Sequence, residues 1–315
     1  MRRFLLTALV GVLAVGLLPP LAAALFGWGP DPSHLPPHGK TVSIEDGRSL
    51  HLKEVGDGTP VVLVHGLPSN AADWVDLPDR LAALGPYRVI AYDRVGYGYS
   101  SREEAADGGY TYASNARELA ALLDALGIEQ AVLVGWSYGG GVVMTLASEA
   151  PERVSHLVLV GSVGPAMPDD PQDVADRILA SPFAVPLFQW VGSIPPLSRA
   201  MTRATLRQAF ARERDIPEGF VDYTRALLGL PGTLRAFSLE AQGQDLGGLE
   251  PEALHMPSLV IHGADDFLIP YDVAEDLHRR LPSSDFVTVL SGSHMLPVTH
   301  ADLLAEKIHD LVGAY

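Results

Sequence analysis

Short, uninterrupted apolar runs recur along the chain and alternate with stretches whose apolar residues follow helical spacing. The runs lie at 61–64, 89–92, 131–134, 157–160 and 259–261. Strands that are buried on both faces have this composition, because helices cover both sides of a parallel sheet. Residues 114–126 show the helical spacing and are followed by a glycine. The alternation predicts an α/β fold with a mostly parallel central sheet flanked by helices.

Two segments interrupt the alternation. The stretch TVSIEDGRSLHLKEV turns at an Asp-Gly pair and predicts an opening hairpin. Residues 165–248 contain no buried-strand pattern and are rich in proline, arginine and aromatic residues. They predict a helical lid inserted into a core made of residues 40–164 and 249–315. Aromatic residues of the lid either fasten it to the core or roof a site, and Phe183 and Trp190 are its candidates for a substrate pocket.

The first 28 residues have a different character. Two arginines precede an apolar stretch that runs from Phe4 to Trp28 and is interrupted by two prolines. This segment is long enough to span a bilayer, and its small residues at 22–24 also suit a signal-peptide cleavage site. It predicts a membrane anchor or a signal peptide, followed by a linker at 29–39. With the arginines on the cytoplasmic side, the rest of the chain would be membrane-anchored outside the cytoplasm, or exported.

Composition narrows the classes of function. The chain has 315 residues, enough to bury a large core, and a formal net charge of −16. A chain this acidic is not expected to bind nucleic acid. Cysteine is absent, which excludes disulfides, thiolate metal sites and a cysteine nucleophile.

The segment VGWSYGGGVV places a serine between an apolar strand and an apolar helix start. Gly135 and Gly139 frame Ser137 as G-x-S-x-G, a spacing that lets a strand turn sharply into a helix with the serine hydroxyl exposed. No lysine follows the glycines, so the stretch is not a phosphate-binding loop. Ser137 is therefore the candidate nucleophile, with Trp136 beside it as a candidate pocket residue.

A serine that attacks a carbonyl group needs backbone N–H groups to stabilise the oxyanion that forms. The N–H of Tyr138, directly after the serine, is one candidate. The second is expected at an earlier strand end, where HGLPSNAADW follows the first buried run. Pro68 has no N–H to donate, which leaves Leu67 or Gly66, and Leu67 is preferred. The predicted oxyanion hole is therefore Leu67 and Tyr138.

The serine also needs a base and an acidic partner for that base. Among eleven histidines, His294 is preferred because LSGSHMLP follows a strand-like segment and precedes the last predicted helix. His300, at the start of that helix, is the second choice. Asp265 and Asp266 directly follow the apolar run at 259–261, and either carboxylate could orient the histidine.

From about residue 40 to the C-terminus, these motifs resemble the α/β-hydrolase fold family, in its lidded serine esterase, lipase and C–C hydrolase members. The matching segments are HGLP, DRVGYGYS, GWSYG, GADDFLIP and GSHMLP. In the family the acid lies in a G-x-x-D-x-x-x-P pattern, which on this sequence selects Asp266 over Asp265. The resemblance implies a triad of Ser137, Asp266 and His294 in that chain order, and no cofactor or metal. A serine replaces the glycine that precedes the family's histidine.

These motifs together predict a serine hydrolase that cleaves a carboxylic ester of an apolar acyl group or lipid-like small molecule through an acyl-enzyme. C–C bond hydrolases and perhydrolases of the same fold share the triad and are alternatives. A protein that keeps the fold and binds a ligand without turnover is a third. Epoxide hydrolases and haloalkane dehalogenases of similar fold have an aspartate in place of Ser137, which argues against both.

Overall fold

The computed structural model describes residues 32–36, 39–44, 47–102, 109–167, 189–242, 246 and 248–314. Eight strands form one sheet: Lys40–Ser43 (β1), Ser49–Val55 (β2), Thr59–Val64 (β3), Tyr87–Tyr92 (β4), Ala131–Trp136 (β5), Val154–Val160 (β6), Ser258–Gly263 (β7) and Ser284–Val289 (β8). Their order across the sheet is β1-β2-β4-β3-β5-β6-β7-β8. β1 and β2 form an antiparallel hairpin and β2 is antiparallel to β4, whereas β3 to β8 pair only in parallel. The predicted mostly parallel sheet is confirmed.

Helices flank the sheet and form the lid. They are Leu77–Leu84 (α1), Tyr112–Ala125 (α2), Tyr138–Glu149 (α3), Pro195–Phe210 (α4), Phe220–Leu228 (α5), Thr233–Gln242 (α6), Tyr271–Arg280 (α7), Leu296–Thr299 (α8) and Ala301–Gly313 (α9). Buried residues of α2, α3 and α7 join one hydrophobic cluster, and those of α1 and α9 join another. Helices α4, α5 and α6 lie between β6 and β7, so the prediction of an inserted helical lid is also confirmed.

The two hydrophobic clusters lie on opposite faces of the sheet, and β3 shows why its sequence is apolar throughout. Val62 and Val64 belong to one cluster, whereas Val61 and Leu63 belong to the other. Successive side chains of a strand point to opposite faces, so a strand covered on both faces has no position left for a polar residue.

The parallel strands bring four loops to one edge of the sheet. Leu67 follows β3, Ser137 follows β5, Asp266 follows β7 and His294 follows β8. Because parallel strands have their carboxyl ends at the same edge, residues far apart in the sequence come together there.

The predicted membrane segment, residues 1–28, lies outside the described residues. Within the predicted linker, Pro32–His34 form one short turn of 3-10 helix. In the ranges that the structure does describe, no helix combines the length and the apolar character needed to cross a bilayer.

Candidate active site

Ser137 stands at the sharp turn between β5 and α3. Its backbone has φ 55° and ψ −121°, a conformation that is strained for any residue with a Cβ. Two glycines make room for the turn. A Cβ on Gly139 would collide with the carbonyl oxygen of Val64, and a Cβ on Gly135 would lie 2.5 Å from the carbonyl oxygen of Gly139. The G-x-S-x-G spacing is therefore a steric requirement of this turn.

Backbone hydrogen bonds hold the strained serine in place. Its N–H donates to the carbonyl oxygen of Val160 over 3.0 Å. Its own carbonyl oxygen accepts from the N–H groups of Gly140, at 3.0 Å, and Val163, at 3.3 Å. The Ser137 side chain lines a cavity, so the hydroxyl is presented to that cavity from a fixed backbone.

His294 and Asp266 form a buried pair beside the serine. His294 Nδ1 donates to Asp266 Oδ2 over 2.8 Å, and Asp266 Oδ1 accepts from the backbone N–H groups of Leu268, at 2.9 Å, and Ile269, at 3.0 Å. Burial by itself raises the pKa of Asp266, but the charge of His294 and these hydrogen bonds outweigh burial and lower the pKa. The ionised carboxylate fixes the proton on Nδ1, which leaves Nε2 available as a base.

Ser137 and His294 line the same cavity. Within the described part of the chain no hydrogen bond joins the two side chains, as is common before a substrate tightens such a site. The indole Nε1 of Trp136 donates to the backbone carbonyl oxygen of His294 over 2.9 Å, and the two rings lie 5.6 Å apart. The turn that carries the serine is thus tied to the loop that carries the histidine.

The competing residues of each kind have other partners. Asp265 Oδ2 accepts from the guanidinium of Arg212, in the lid, over 2.7 Å. His300 Nδ1 lies 2.8 Å from the hydroxyl of Thr299, and His300 is not among the residues that line the cavity. The structure therefore brings Asp266 to His294, as the G-x-x-D-x-x-x-P pattern predicted.

Both predicted oxyanion donors lie next to the serine. Tyr138 is the first residue of α3, and the first N–H groups of a helix have no partner within the helix. Leu67 lines the cavity, and the preceding Gly66 is so close to Ser137 that a Cβ on it would lie 2.9 Å from the serine Cβ. The peptide groups of Leu67 and Tyr138 thus flank Ser137 from the ends of two neighbouring strands.

The cavity at Ser137 has a volume of about 520 Å³. Its wall is mostly apolar, with contributions from the core and from helices α4, α5 and α6 of the lid. Members of the wall include Leu67, Trp136, Leu206, Phe220, Leu227 and Met295. A chamber of this size and character suits a small, largely apolar molecule.

The three predicted pocket residues have different outcomes. Trp136 lines the cavity. Trp190 does not, although its neighbours Gln189 and Val191 do, because adjacent residues of a helical turn point in different directions. Phe183 lies outside the described residues. Across those that are described, no group of three or more His, Asp or Glu side chains could hold a metal ion.

The sequence did not predict one buried carboxyl group in the cavity wall. Asp73 accepts hydrogen bonds from the hydroxyls of Ser69 and of Tyr223, a residue of α5. Burial raises the pKa of Asp73 to about 6, although both hydrogen bonds act to lower it. The Tyr223 hydroxyl lies 2.7 Å from Asn70 Oδ1 as well. The only sequence signal is the polar segment SNAAD directly after HGLP, since the lid partner is far away in the chain.

A mostly parallel sheet with a serine at the turn after β5 and a helical lid after β6 is the architecture of an α/β hydrolase. The sequence pattern of the alpha/beta hydrolase fold matches residues 59–301 of this chain. The chain belongs to that family.

Two curated relatives cover nearly the same length. The chain is 30% identical over 291 residues to a 2-hydroxymuconate semialdehyde hydrolase of Pseudomonas putida, an alignment that spans 90% of this chain and 96% of the relative. It is 32% identical over 282 residues to a non-heme chloroperoxidase of Streptomyces lividans, covering 84% and 96% of the two chains. Members of the family with different names are thus about equally similar to it.

Solved structures support the fold. An esterase from Exiguobacterium antarcticum aligns with a TM-score of 0.72 at 23% identity, over 87% of this chain and 99% of the esterase. A meta-cleavage product hydrolase from Pseudomonas fluorescens, in a mutant form, aligns with a TM-score of 0.71 at 23% identity, over 88% and 98% of the two chains. At these identities the likeness establishes the architecture and no particular substrate.

Proposed function

We propose that the protein is a serine hydrolase in which Ser137 is the nucleophile, His294 the general base and Asp266 the residue that orients it. The observation that carries the proposal is the convergence of the strained serine and the buried His294–Asp266 pair on one cavity. A strained backbone beneath a hydroxyl that faces a cavity persists only where the surrounding structure enforces it, which is a mark of functional sites.

The reaction runs in two halves. Ser137 Oγ attacks the carbonyl carbon of the substrate while His294 Nε2 takes the hydroxyl proton, and the oxyanion that forms accepts hydrogen bonds from the N–H groups of Leu67 and Tyr138. His294 then gives the proton to the leaving group and an acyl-enzyme remains. Water, deprotonated by His294, releases the acid. Each oxyanion donor contributes on the order of 3 kcal/mol to the lowering of the barrier.

A carboxylic ester with an apolar acyl group is the first candidate substrate. The cavity of about 520 Å³ has a mostly apolar wall, and burial of an acyl chain contributes about 0.8 kcal/mol for each methylene group. The chemistry asks for no metal or organic cofactor.

A C–C bond hydrolase is the second candidate, and two observations favour it. The relative from Pseudomonas putida is named for 2-hydroxymuconate semialdehyde, a compound that carries a carboxylate. Buried Arg225 lines the same cavity, where its Nε donates to Ser198 Oγ over 2.8 Å and its Nη1 to Asp222 over 3.1 Å. A guanidinium in the wall of an apolar chamber suits an anionic substrate. Perhydrolysis, in which hydrogen peroxide takes the place of water, is a third candidate reaction, and the similarity to a non-heme chloroperoxidase supports it.

Labelling with a fluorophosphonate tests the nucleophile directly. We expect the wild-type protein to react and the Ser137→Ala variant not to react. Ser193→Ala is the matched control, because Ser193 lines the same cavity, and this variant should label like the wild type. A folded wild-type protein that does not react would overturn the proposal and favour a ligand-binding protein without turnover.

Product analysis then separates the candidate substrates. The wild-type protein is offered p-nitrophenyl esters of increasing acyl length, 2-hydroxymuconate semialdehyde, and acetate with hydrogen peroxide. The class of substrate with the highest kcat/KM identifies the reaction, and Ser137→Ala should abolish every activity that the wild type shows.

We also propose that residues 1–28 direct the protein to or across a membrane. The test is to fractionate cells that express either the full chain or a chain without these residues, and to compare where the two proteins are found.

A further inference from the structure

A buried ion pair joins the lid to the core close to Ser137. Arg94, in the loop after β4, pairs with Glu240 of α6 through both guanidinium Nη atoms, and neither side chain has exposed surface. Asn115 accepts a hydrogen bond from Arg94 Nη1 and donates one to Glu240 Oε1, and the Tyr97 hydroxyl donates to Glu240 Oε2 over 2.7 Å. The guanidinium is therefore held in one orientation.

The same guanidinium reaches the loop that carries the predicted oxyanion donor. Arg94 Nη2 donates to the carbonyl oxygen of Gly66 over 3.0 Å, and His65 Nδ1 donates to the same oxygen over 2.9 Å. His65 is itself fixed, because its Nε2 accepts from the backbone N–H of Arg94 over 3.0 Å. Burial and the charge of Arg94 lower the pKa of His65, so the ring stays neutral and keeps both bonds.

The carbonyl of Gly66 and the N–H of Leu67 belong to one peptide group. A peptide group is planar, and in its trans form the C=O and N–H bonds point in opposite directions. Two hydrogen bonds that hold the Gly66 carbonyl toward Arg94 and His65 therefore also set the direction of the Leu67 N–H. That N–H is therefore directed away from Arg94, and Leu67 is one of the residues that line the cavity.

The guanidinium also contacts the residue of the other predicted donor. The Arg94 Cζ lies over the ring of Tyr138 at 4.6 Å and over that of Tyr97 at 4.8 Å. Tyr138 follows the serine and its ring stacks on Tyr112 at 4.4 Å. One side chain thus contacts both segments from which the oxyanion hole is built.

We propose that Arg94, oriented by Glu240, is the positioning residue of the oxyanion hole, and that the lid helix α6 thereby forms part of the catalytic framework. The inference rests on the proposed function, since it concerns how the Leu67 N–H meets the oxyanion. Neither residue is among those that line the cavity. Their effect is on the transition state, where the direction of the N–H bond matters most.

The competing explanation is that the pair only stabilises the fold. The chain offers a matched control for it, because Arg48 and Glu118 form a second buried ion pair, also attached to α2, that shares no hydrogen bond with Arg94 or Glu240. Glu118→Gln replaces one buried carboxyl group by an amide, as Glu240→Gln does. Arg94→Lys is the second test variant: lysine keeps the positive charge beside Glu240 but cannot span Glu240 and Gly66 with two nitrogens.

The experiment measures kcat and KM for p-nitrophenyl butyrate, inhibition by a trifluoromethyl ketone, and urea unfolding for the wild type and the three variants. We expect Glu240→Gln and Arg94→Lys to lower kcat about 10- to 100-fold with KM changed less than threefold, as for a donor displaced by a fraction of an ångström. Inhibition by the ketone, whose adduct carries an oxyanion, should weaken by a similar factor. Glu118→Gln should lose stability but keep its kcat within about threefold.

The outcomes separate the two proposals. If folded Arg94→Lys retains wild-type kcat, or if Glu118→Gln loses as much kcat as the test variants, the positioning role is wrong while the serine mechanism stands. Should Glu240→Gln fail to fold, Arg94→Lys decides alone. If the wild type itself neither hydrolyses the ester nor reacts with a fluorophosphonate, the proposed function fails instead.

Discussion

His294 Nδ1 lies 2.8 Å from Asp266 Oδ2, and the carboxylate of Asp266 has no exposed surface. The other carboxylate oxygen is held by two backbone N–H groups, so the acid can rotate neither toward solvent nor away from the ring. The loop after β7 therefore helps to fix the direction of the imidazole. This relationship leads to the first prediction.

Replacement of Asp266 by Asn should lower kcat by about four orders of magnitude, because the amide no longer fixes the proton on Nδ1 and Nε2 loses its role as base. The matched control is Asp265→Asn, one position earlier, whose carboxylate binds Arg212 at the lid instead. It should keep kcat within about threefold. Steady-state kinetics of both variants provide the check, and equal losses would contradict the assignment of the acid.

Removal of the Cβ at position 137 should relieve backbone strain. The φ of 55° at Ser137 costs about 1–3 kcal/mol for a residue with a side chain and little for glycine, while glycine adds about 0.5–1 kcal/mol of unfolded-chain entropy. The free energy of unfolding of Ser137→Gly should therefore be about 1 kcal/mol higher than that of Ser137→Ala. Its midpoint of urea unfolding should accordingly lie at a higher urea concentration. Both variants lack the hydroxyl and should be inactive, which removes catalysis from the comparison. Equal urea midpoints for the two variants would contradict the prediction and would mean that the backbone at position 137 leaves its strained conformation in Ser137→Ala.

Addition of a methyl group at Gly66 should damage activity more than stability. A Cβ there would lie 2.9 Å from Ser137 Cβ and 3.3 Å from the carbonyl oxygen of Trp136, so the serine has to move. Displacement of about 1 Å at such a site lowers kcat about 100-fold. Gly313→Ala, at a glycine with open space around it, is the control and should be neutral. Kinetics and urea unfolding of the two variants test this, and a Gly66→Ala enzyme with normal kcat would contradict the tight fit.

Asp73 should make stability depend on pH in a definite direction. Burial raises its pKa from 3.8 in the unfolded chain to about 6 in the folded protein. Between these values the folded state binds the proton more tightly, so this contribution to stability is full below pH 4 and is lost as the pH rises to about 6, a change of about 3 kcal/mol. Asp73→Asn removes it.

Urea midpoints of the wild type and Asp73→Asn between pH 4 and pH 8 give the measurement. The difference between the two proteins isolates Asp73, because other buried acids such as Glu118, whose pKa burial raises to about 7, act in both. The difference should change across pH 4–6 and be constant above pH 7. A difference that does not vary with pH would show that Asp73 has an ordinary pKa.

The sheet and the site loops could be predicted because their signals are local. A strand covered on both faces must be apolar throughout, so five short runs marked β3 to β7. The turn at Ser137 needs glycines at fixed offsets. The family's G-x-x-D-x-x-x-P pattern selects Asp266, and it is Asp266 whose carboxylate is hydrogen-bonded to His294. Once the strands are predicted to be parallel, the loops that follow them must meet at the carboxyl edge of the sheet.

The contacts between the lid and the core could not be predicted in the same way. Arg94 and Glu240 are 146 residues apart and Asp73 and Tyr223 are 150 apart, so neither pair leaves a local pattern. Trp190 lies in a single short helical turn near several prolines. Such a turn has no repeating apolar pattern from which the direction of the Trp190 side chain could be predicted. Contacts that depend on how the lid docks require the structure itself.

β6 and β7 are hydrogen-bonded neighbours, in register from Leu157 with Ser258 to Val160 with Ile261, although the chain leaves the sheet between them to build α4, α5 and α6. The sheet itself therefore asks only that this excursion be long enough for a parallel crossover, and a different lid could occupy the same place if it kept the contacts that the site needs. A transplanted lid would bring new selectivity. It would also have to supply a carboxylate where Glu240 stands, or Arg94 would be left in the core without its counter-charge.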